Sequence, residues 1–184
     1  MENLSLSERV LDILTKTNLN WNVKEEEIQT QTGLIIPNKK ALIRSDNNQI
    51  LGIHGNNYQP YQNDQLCELL FQISKSTGLE IHSGGSLDDS AKVFIQLKSE
   101  NLTLGDDKIE GYITGVNSFD GSTALGFGNS NITISCQNTF FKALRDVDSK
   151  VRHTINMSYK IETILKQIDS LIEDEKSTFN EIKR

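Results

Sequence analysis

The six residues Asn117–Ser118–Phe119–Asp120–Gly121–Ser122 constrain this chain most. They lie where two apolar, strand-like runs meet, Lys108 to Asn117 and Ser122 to Ile134. So short a link joins two strands as an antiparallel pair, because a parallel pair needs a long crossover. Asp120–Gly121 strengthens the reading, since Asp-Gly is a favoured hairpin turn and glycine adopts a positive φ at no steric cost. The same punctuation recurs upstream. Asp46–Asn47–Asn48 separates the strand-like Lys40 to Arg44 from Gln49 to His54. Gly84–Gly85 and Asp88–Asp89 separate Leu79 to Ser83 from Ala91 to Lys98, where Val93, Ile95 and Leu97 alternate with Lys92, Phe94 and Gln96. That alternation predicts a strand with one face on a core.

Helical patterns bracket these strands. Ser5 or Ser7 can cap a first helix whose apolar face is Val10, Leu11, Ile13 and Leu14, fading at Thr17–Asn18. Trp21 to Val23 reads as a short strand, Lys24 to Thr32 as a polar loop or sheet edge, and Gly33 to Pro37 as an apolar turn. A second helix is predicted over Asn63 to Thr77, with Leu66, Cys67, Leu69, Leu70 and Ile73 inward and Gly78 as its stop. A third covers Gln137 to Asp146. A last helix is predicted from about Asp148 onward, its Met157, Ile161, Ile164, Ile168 and Leu171 forming a heptad-like stripe. Grouped strands with flanking helices give an α+β fold: an antiparallel sheet of about six strands and a C-terminal amphipathic helix. The segments are an N-terminal helix (1–18), an α+β core (19–150) and the C-terminal helix (151–184). The first half of that helix should dock on the core and the second half should support a homo-oligomer.

Composition narrows the function classes. The chain has 184 residues, 36% hydrophobic and 24% charged, enough to bury a substantial core. No apolar run approaches the ~20 residues of a membrane span, so no membrane is expected. The start, MENLSLSERVLDIL, lacks the basic head and apolar centre of a signal peptide. Two cysteines, Cys67 and Cys136, are too few for a disulfide framework, and their apolar neighbours predict reduced, buried thiols in a cytoplasmic setting. The net charge of −6 argues against a strongly basic nucleic-acid binder but leaves room for a local basic groove.

Three kinds of site chemistry are open on the residues alone. Lys39, Lys40, Arg44, Lys142, Arg145, Lys150 and Arg152 are candidate phosphate contacts, with Tyr58, Tyr61 and Phe119 as stacking surfaces. The competing reading is a solvated surface, since Asp146 and Asp148 interleave with the later cations. A thiol hydrolase would use Cys136 as nucleophile, His153 as base and Asp120 or Asn138 to orient it. The favoured reading there is a structural Cys136, with Gln137–Asn138–Thr139 capping the next helix. A metal could draw on His54, His82, His153, Asp106, Asp107 and Asp120, but no pair has zinc-motif spacing, so no metal and no cofactor is expected.

A run of short motifs carries a family resemblance: Leu19–Asn20–Trp21, Ile36–Pro37, Ala41 to Ser45, Leu51–Gly52, Asn57–Tyr58, Gln62–Asn63, Gly85–Ser86–Leu87, Gly105–Asp106–Asp107, Asn117, Asp120–Gly121–Ser122, Cys136 to Thr139 and Arg152–His153–Thr154. Over roughly residues 19 to 170 the chain resembles the phage/plasmid-like protein family, also called domain of unknown function 932. The resemblance implies a bacteriophage, prophage or plasmid origin, hence a host-cell cytoplasm, and implies no activity. The chain departs from the family in having Phe119 before Asp120–Gly121, where the family usually has His, and Thr133 three residues before Cys136, where it often has Arg. Both departures favour a non-enzymatic role. The expectation is a single-stranded-DNA-binding protein of recombination or replication. An anti-defence protein that binds a host protein, and the thiol hydrolase on Cys136 and His153, are the alternatives.

Overall fold

The computed structural model describes residues 6–99, 102–104, 107–147, 149–163 and 165–166. The chain opens with α1 (Leu6–Lys16), followed by a meander of β1 (Val23–Gln29), β2 (Ile35–Arg44) and β3 (Ile50–Gly55). Then come α2 (Asn63–Thr77), β4 (Ile81–Leu87), β5 (Lys92–Lys98), a small ribbon of β6 (Leu102–Leu104) and β7 (Asp107–Ile109), and β8 (Tyr112–Ser118). β9 (Leu125–Ser130), α3 (Gln137–Asp146) and β10 (Ser149–Val151) follow, and a further helical run covers 157–163 and 165–166. The fold is α+β with antiparallel pairing throughout, as the grouped strands predict. The strands divide into a three-stranded sheet, β1-β2-β3, a five-stranded sheet, β10-β9-β8-β5-β4, and the β6-β7 ribbon. Among the described residues no helix is long and apolar enough to cross a membrane.

The five-stranded sheet is covered on both faces, which corrects the expectation of one packed face. Val93, Ile95 and Leu97 of β5 join Leu66, Leu69 and Leu70 of α2 in the main core, together with Leu125, Phe127 and Val151. The opposite side carries Phe94 and Val116 against Phe140, Ala143 and Ile134 around α3. β5 is therefore buried at every position from Lys92 to Leu97. Its one uncharged polar residue, Gln96, is fully buried and fully used. Its Nε2 donates to Thr114 Oγ1 (2.9 Å) and Ile132 O (2.9 Å), and its Oε1 accepts from Ile134 N (2.9 Å) and Ser83 Oγ (3.2 Å). These bonds tie the segment after β9 to the sheet without a ladder, so the strand predicted to reach Ile134 stops at Ser130.

Local rules account for the helix ends. α2 begins where Gln65 Oε1 accepts from Gln62 N (2.8 Å) and ends at Gly78, whose φ is 75° and whose N–H donates to Ser74 O (2.8 Å). α3 begins where Thr139 Oγ1 accepts from the N–H groups of Ser135 and Cys136 at 2.9 and 3.0 Å. On α1, Leu14 is buried and Val10 and Ile13 are partly buried, whereas Leu11, expected on the apolar face, is exposed. Lys24 to Gln29, within the stretch read as a polar loop or sheet edge, is edge strand β1. Gly84 and Gly85 lie inside β4, and the turn sits at Asp88–Asp89–Ser90, with φ values of 54°, 48° and 70°. Last, β10 separates α3 from the final helix, which starts at 157 instead of about 148. Met157 and Ile161 of that helix dock on the main core as expected. The oligomer-forming half, with Ile168 and Leu171, lies outside the described residues.

Candidate functional site

The short motifs meet where the inner end of the three-stranded sheet faces the β8–β9 turn. Asn63, buried at the start of α2, donates from Nδ2 to Leu19 O and Trp21 O, each at 3.1 Å. Gln62 pairs with β1: its Oε1 accepts from Val23 N (2.9 Å) and its Nε2 donates to Val23 O (3.1 Å). Asn117 Nδ2 donates to Tyr61 O (2.8 Å). Tyr58 lies between two imidazoles, with ring centroids 3.9 Å from His54 and 4.8 Å from His153, and its hydroxyl donates to Ser118 O (2.9 Å). His54 Nε2 bonds Phe119 O at 2.7 Å, and the fully buried Phe119 ring meets Trp21 edge-on.

Charge enters this knot at one point. Lys92, only 3% exposed, bonds Asp120 Oδ2 (2.8 Å) and Asp88 Oδ2. Burial raises the Asp120 carboxyl, but the bonds from Lys92 and Ser122 outweigh it and hold the group below the ordinary carboxylate range. Likewise burial lowers the Lys92 ammonium, and its two carboxylates more than reverse that. Burial drives the His153 imidazole down to about 4; the neighbouring His54 adds to this, and the bond to Gln59 opposes it. Gln59 O can only accept, so His153 Nδ1 carries the proton across their 3.1 Å contact, and the buried Nε2 has no partner. Each of these residues bonds to another part of the fold, although Asn63 Oδ1, Asn117 Oδ1 and His153 Nε2 are buried without a partner among the described residues. The cluster is a structural knot, and no group of three His, Cys, Asp or Glu among the described residues could hold a metal.

Cys136 and His153 do not share a hydrogen bond. The described contact of the Cys136 sulfur is Thr139 Oγ1 at 3.6 Å. Cys136 is exposed, which corrects the expectation of a buried thiol. The Thr139 backbone N–H at the helix start, then the Thr139 hydroxyl, lower its pKa. Cys67 behaves as expected: it is fully buried, and burial pushes its thiol up to about 12.

The seven candidate cations separate into two groups. Lys40 is buried and paired to Glu25 at 2.8 Å. Arg44 bonds Asp46 (2.7 Å) and Ser90 (2.7 Å), and its guanidinium stacks 4.6 Å from the Trp21 ring centre. Lys39 is exposed on the outer part of β2. Lys142, Arg145, Lys150 and Arg152 are all exposed and sit together in sequence on α3, β10 and the residue after it. Lys142 and Arg145 are one turn apart, so they share a helix face. Tyr58 and Tyr61 are partly buried, and Tyr58 and Phe119 have ring partners within the fold. An exposed ring on the same helix, one turn before Arg145, is Phe141, 37% exposed, which the sequence reading left out. Its adjacency to Lys142 was the available signal.

Among curated proteins and solved structures nothing matches this chain. A family model does match residues 50–184, from β3 onward, and leaves α1, β1 and β2 outside the matched range although Leu19, Trp21 and Val23 bond directly to Gln62 and Asn63 within it. That match covers well over half of the sequence, and the chain therefore belongs to the family described as a domain of unknown function, DUF932.

Proposed function

We propose that this protein binds single-stranded nucleic acid of a phage or plasmid, without catalysis, through the corner formed by α3 and β10. One observation carries the reading. Lys142, Arg145, Lys150 and Arg152 are exposed and, among the described residues, none is neutralised by a carboxylate. The paired cations are Lys16, Lys40, Arg44, Lys92 and Lys98, of which Lys92 lies 5.8 Å from the Phe141 ring centre. The interleaved Asp146 accepts from Ser130 Oγ at 3.5 Å. Unpaired cations beside an exposed aromatic ring suit a flexible strand, whose phosphates take the charges and whose bases stack. The chain as a whole carries a net charge of −6 and repels polyanions, so binding through this corner is salt-sensitive.

Fluorescence anisotropy with labelled single-stranded and duplex oligonucleotides, over a salt series, tests the proposal. Four phosphate contacts give a log–log salt slope of about −3 on single strands. The combined change Lys142→Ala, Arg145→Ala, Lys150→Ala should abolish binding and leave the melting temperature in place. Equal binding by that variant, or no binding by the unmodified chain at low salt, refutes the reading.

A further inference from the structure

The outer edge of β1 has an open main chain with an acidic side-chain set. β1 is an edge strand of the three-stranded sheet. Val23 pairs with Arg44 in register, yet its N–H and C=O both bond to the Gln62 carboxamide, so they face away from β2. Asn22 O, one residue earlier, points to β2 and accepts from Ser45 N at 2.8 Å. Strand geometry has a period of two, so the N–H and C=O of Glu25 and Glu27 also face outward. Among the described residues no hydrogen bond reaches those main-chain groups. Gln62 thus stands where a neighbouring strand would, and it closes only the Val23 end of the edge.

Across β1 and the outer half of β2 runs a groove of about 420 Å³, lined by Glu25, Glu26 and Glu27, by Ile35 to Lys40 and by Asn56; of its two cations Lys40 is taken up by Glu25, leaving Lys39 against two further glutamates. Its apolar wall is open: Ile35 is 56% and Ile36 37% exposed, and Leu34, at the turn before β2, is 68% exposed. Of the three glutamates, Glu25 is paired to Lys40, while Glu26 and Glu27 are exposed and, among the described residues, unpaired. A second copy of β1 would bring these carboxylates opposite one another, and like charges across a strand pair are unfavourable. A strand of opposite charge meets the reverse situation. We propose that the β1 edge docks an extended peptide segment of a protein partner, one in which basic side chains alternate with apolar ones, added as a further strand. The surface belongs to the other sheet from the α3–β10 corner, so the two proposals stand or fall separately.

The probe is a fluorescein-labelled Lys-Val-Lys-Val-Lys-Val peptide, titrated into the full chain and followed by anisotropy. Glu27→Pro removes an outward N–H and leaves the inward ladder intact, as proline on an edge strand allows. It should weaken the peptide by about tenfold at unchanged melting temperature. A Glu-Val-Glu-Val-Glu-Val peptide should not bind. Hydrogen exchange on the unmodified chain supplies a readout that needs no variant: the basic peptide should slow exchange at the Glu25 and Glu27 amides. Binding without that protection, binding unchanged by Glu27→Pro, equal binding of the acidic peptide, or no binding overturns the proposal. So does concentration-dependent self-association that Glu27→Pro abolishes, which would make a second copy the occupant.

Discussion

Gly52→Ala should be among the most damaging single changes available in this chain, although it adds one methyl group. A Cβ at Gly52 would lie 2.4 Å from Phe119 O, 2.8 Å from His54 Nε2 and 3.0 Å from Asp120 Cα. Two of those three atoms are backbone and cannot rotate aside. Relief requires β3 to move away from the β8–β9 turn, which stretches the His54–Phe119 bond and loosens the Phe119 ring. Overpacking of this kind costs about 1–3 kcal/mol, and the loss of one hydrogen bond adds about 1 kcal/mol. The reduced freedom of the unfolded alanine chain returns about 0.5 kcal/mol. A net loss of about 2–3 kcal/mol corresponds to a melting temperature lower by about 4–12 °C for a chain of this length. Thermal melts and urea denaturation measure it directly. Gly55→Ala is the control on the same strand, because its Cβ would meet only Asn38 O at 3.9 Å. It should be neutral or slightly stabilising. Equal melting temperatures for the two variants would refute the claim that the sheets touch at Gly52 without room for a side chain.

Acid should weaken the fold through His153. Its folded pKa of about 4 lies below the ordinary 6.5, so between those values the unfolded chain binds the extra proton and stability falls as pH drops from about 6.5 to about 4. The span is worth about 3 kcal/mol, and His153→Phe, which keeps a ring against Tyr58, should flatten that part of the stability–pH curve; an unchanged slope counts against the assignment. A thiol reagent at neutral pH should modify one cysteine quickly, Cys136, and reach Cys67 only on unfolding. Peptide mapping of the labelled chain decides it, and labelling of Cys67 in the native state would contradict its burial.

The elements most legible in the sequence were those with local causes. α2 and α3 have the predicted ends because glycine at 78 and threonine at 139 act within a turn of their own helices. The hairpins at Asp46–Asn48 and Asp120–Gly121 likewise follow from residues that tolerate a left-handed backbone, here φ of 59° at Asn48 and 76° at Gly121. What could not be read depends on distant partners. β10 is three residues long, and only the waiting edge of β9 makes it a strand. β1 reads as either a loop or a sheet edge because both its faces are largely exposed, and only its pairing with β2 decides for the edge. Cys136 looked buried because Ile134 and Phe140 flank it and both are buried; the helix turns the intervening thiol outward. Of the candidate cations, the chain alone could not say that Lys40 and Arg44 are tied to carboxylates. Nor could it show that the motif residues hold one another.

The strand order of the larger sheet bears on how the chain can be made. Read from one side it runs β4, β5, β8, β9, β10, the order of synthesis, with the β6–β7 ribbon set aside as an excursion. Each strand leaving the ribosome therefore joins the edge laid down just before it. None has to be inserted between strands already paired, and α2, already complete, offers the apolar face on which the first of them can settle. The edge that receives the next strand is always the newest one, while β4 remains the edge at the other side, until the short β10 arrives and α3 has covered the second face. Such a sheet can assemble in one direction, keeping its unpaired hydrogen-bonding groups few and brief at each stage, which lowers the risk of pairing with a neighbouring nascent chain.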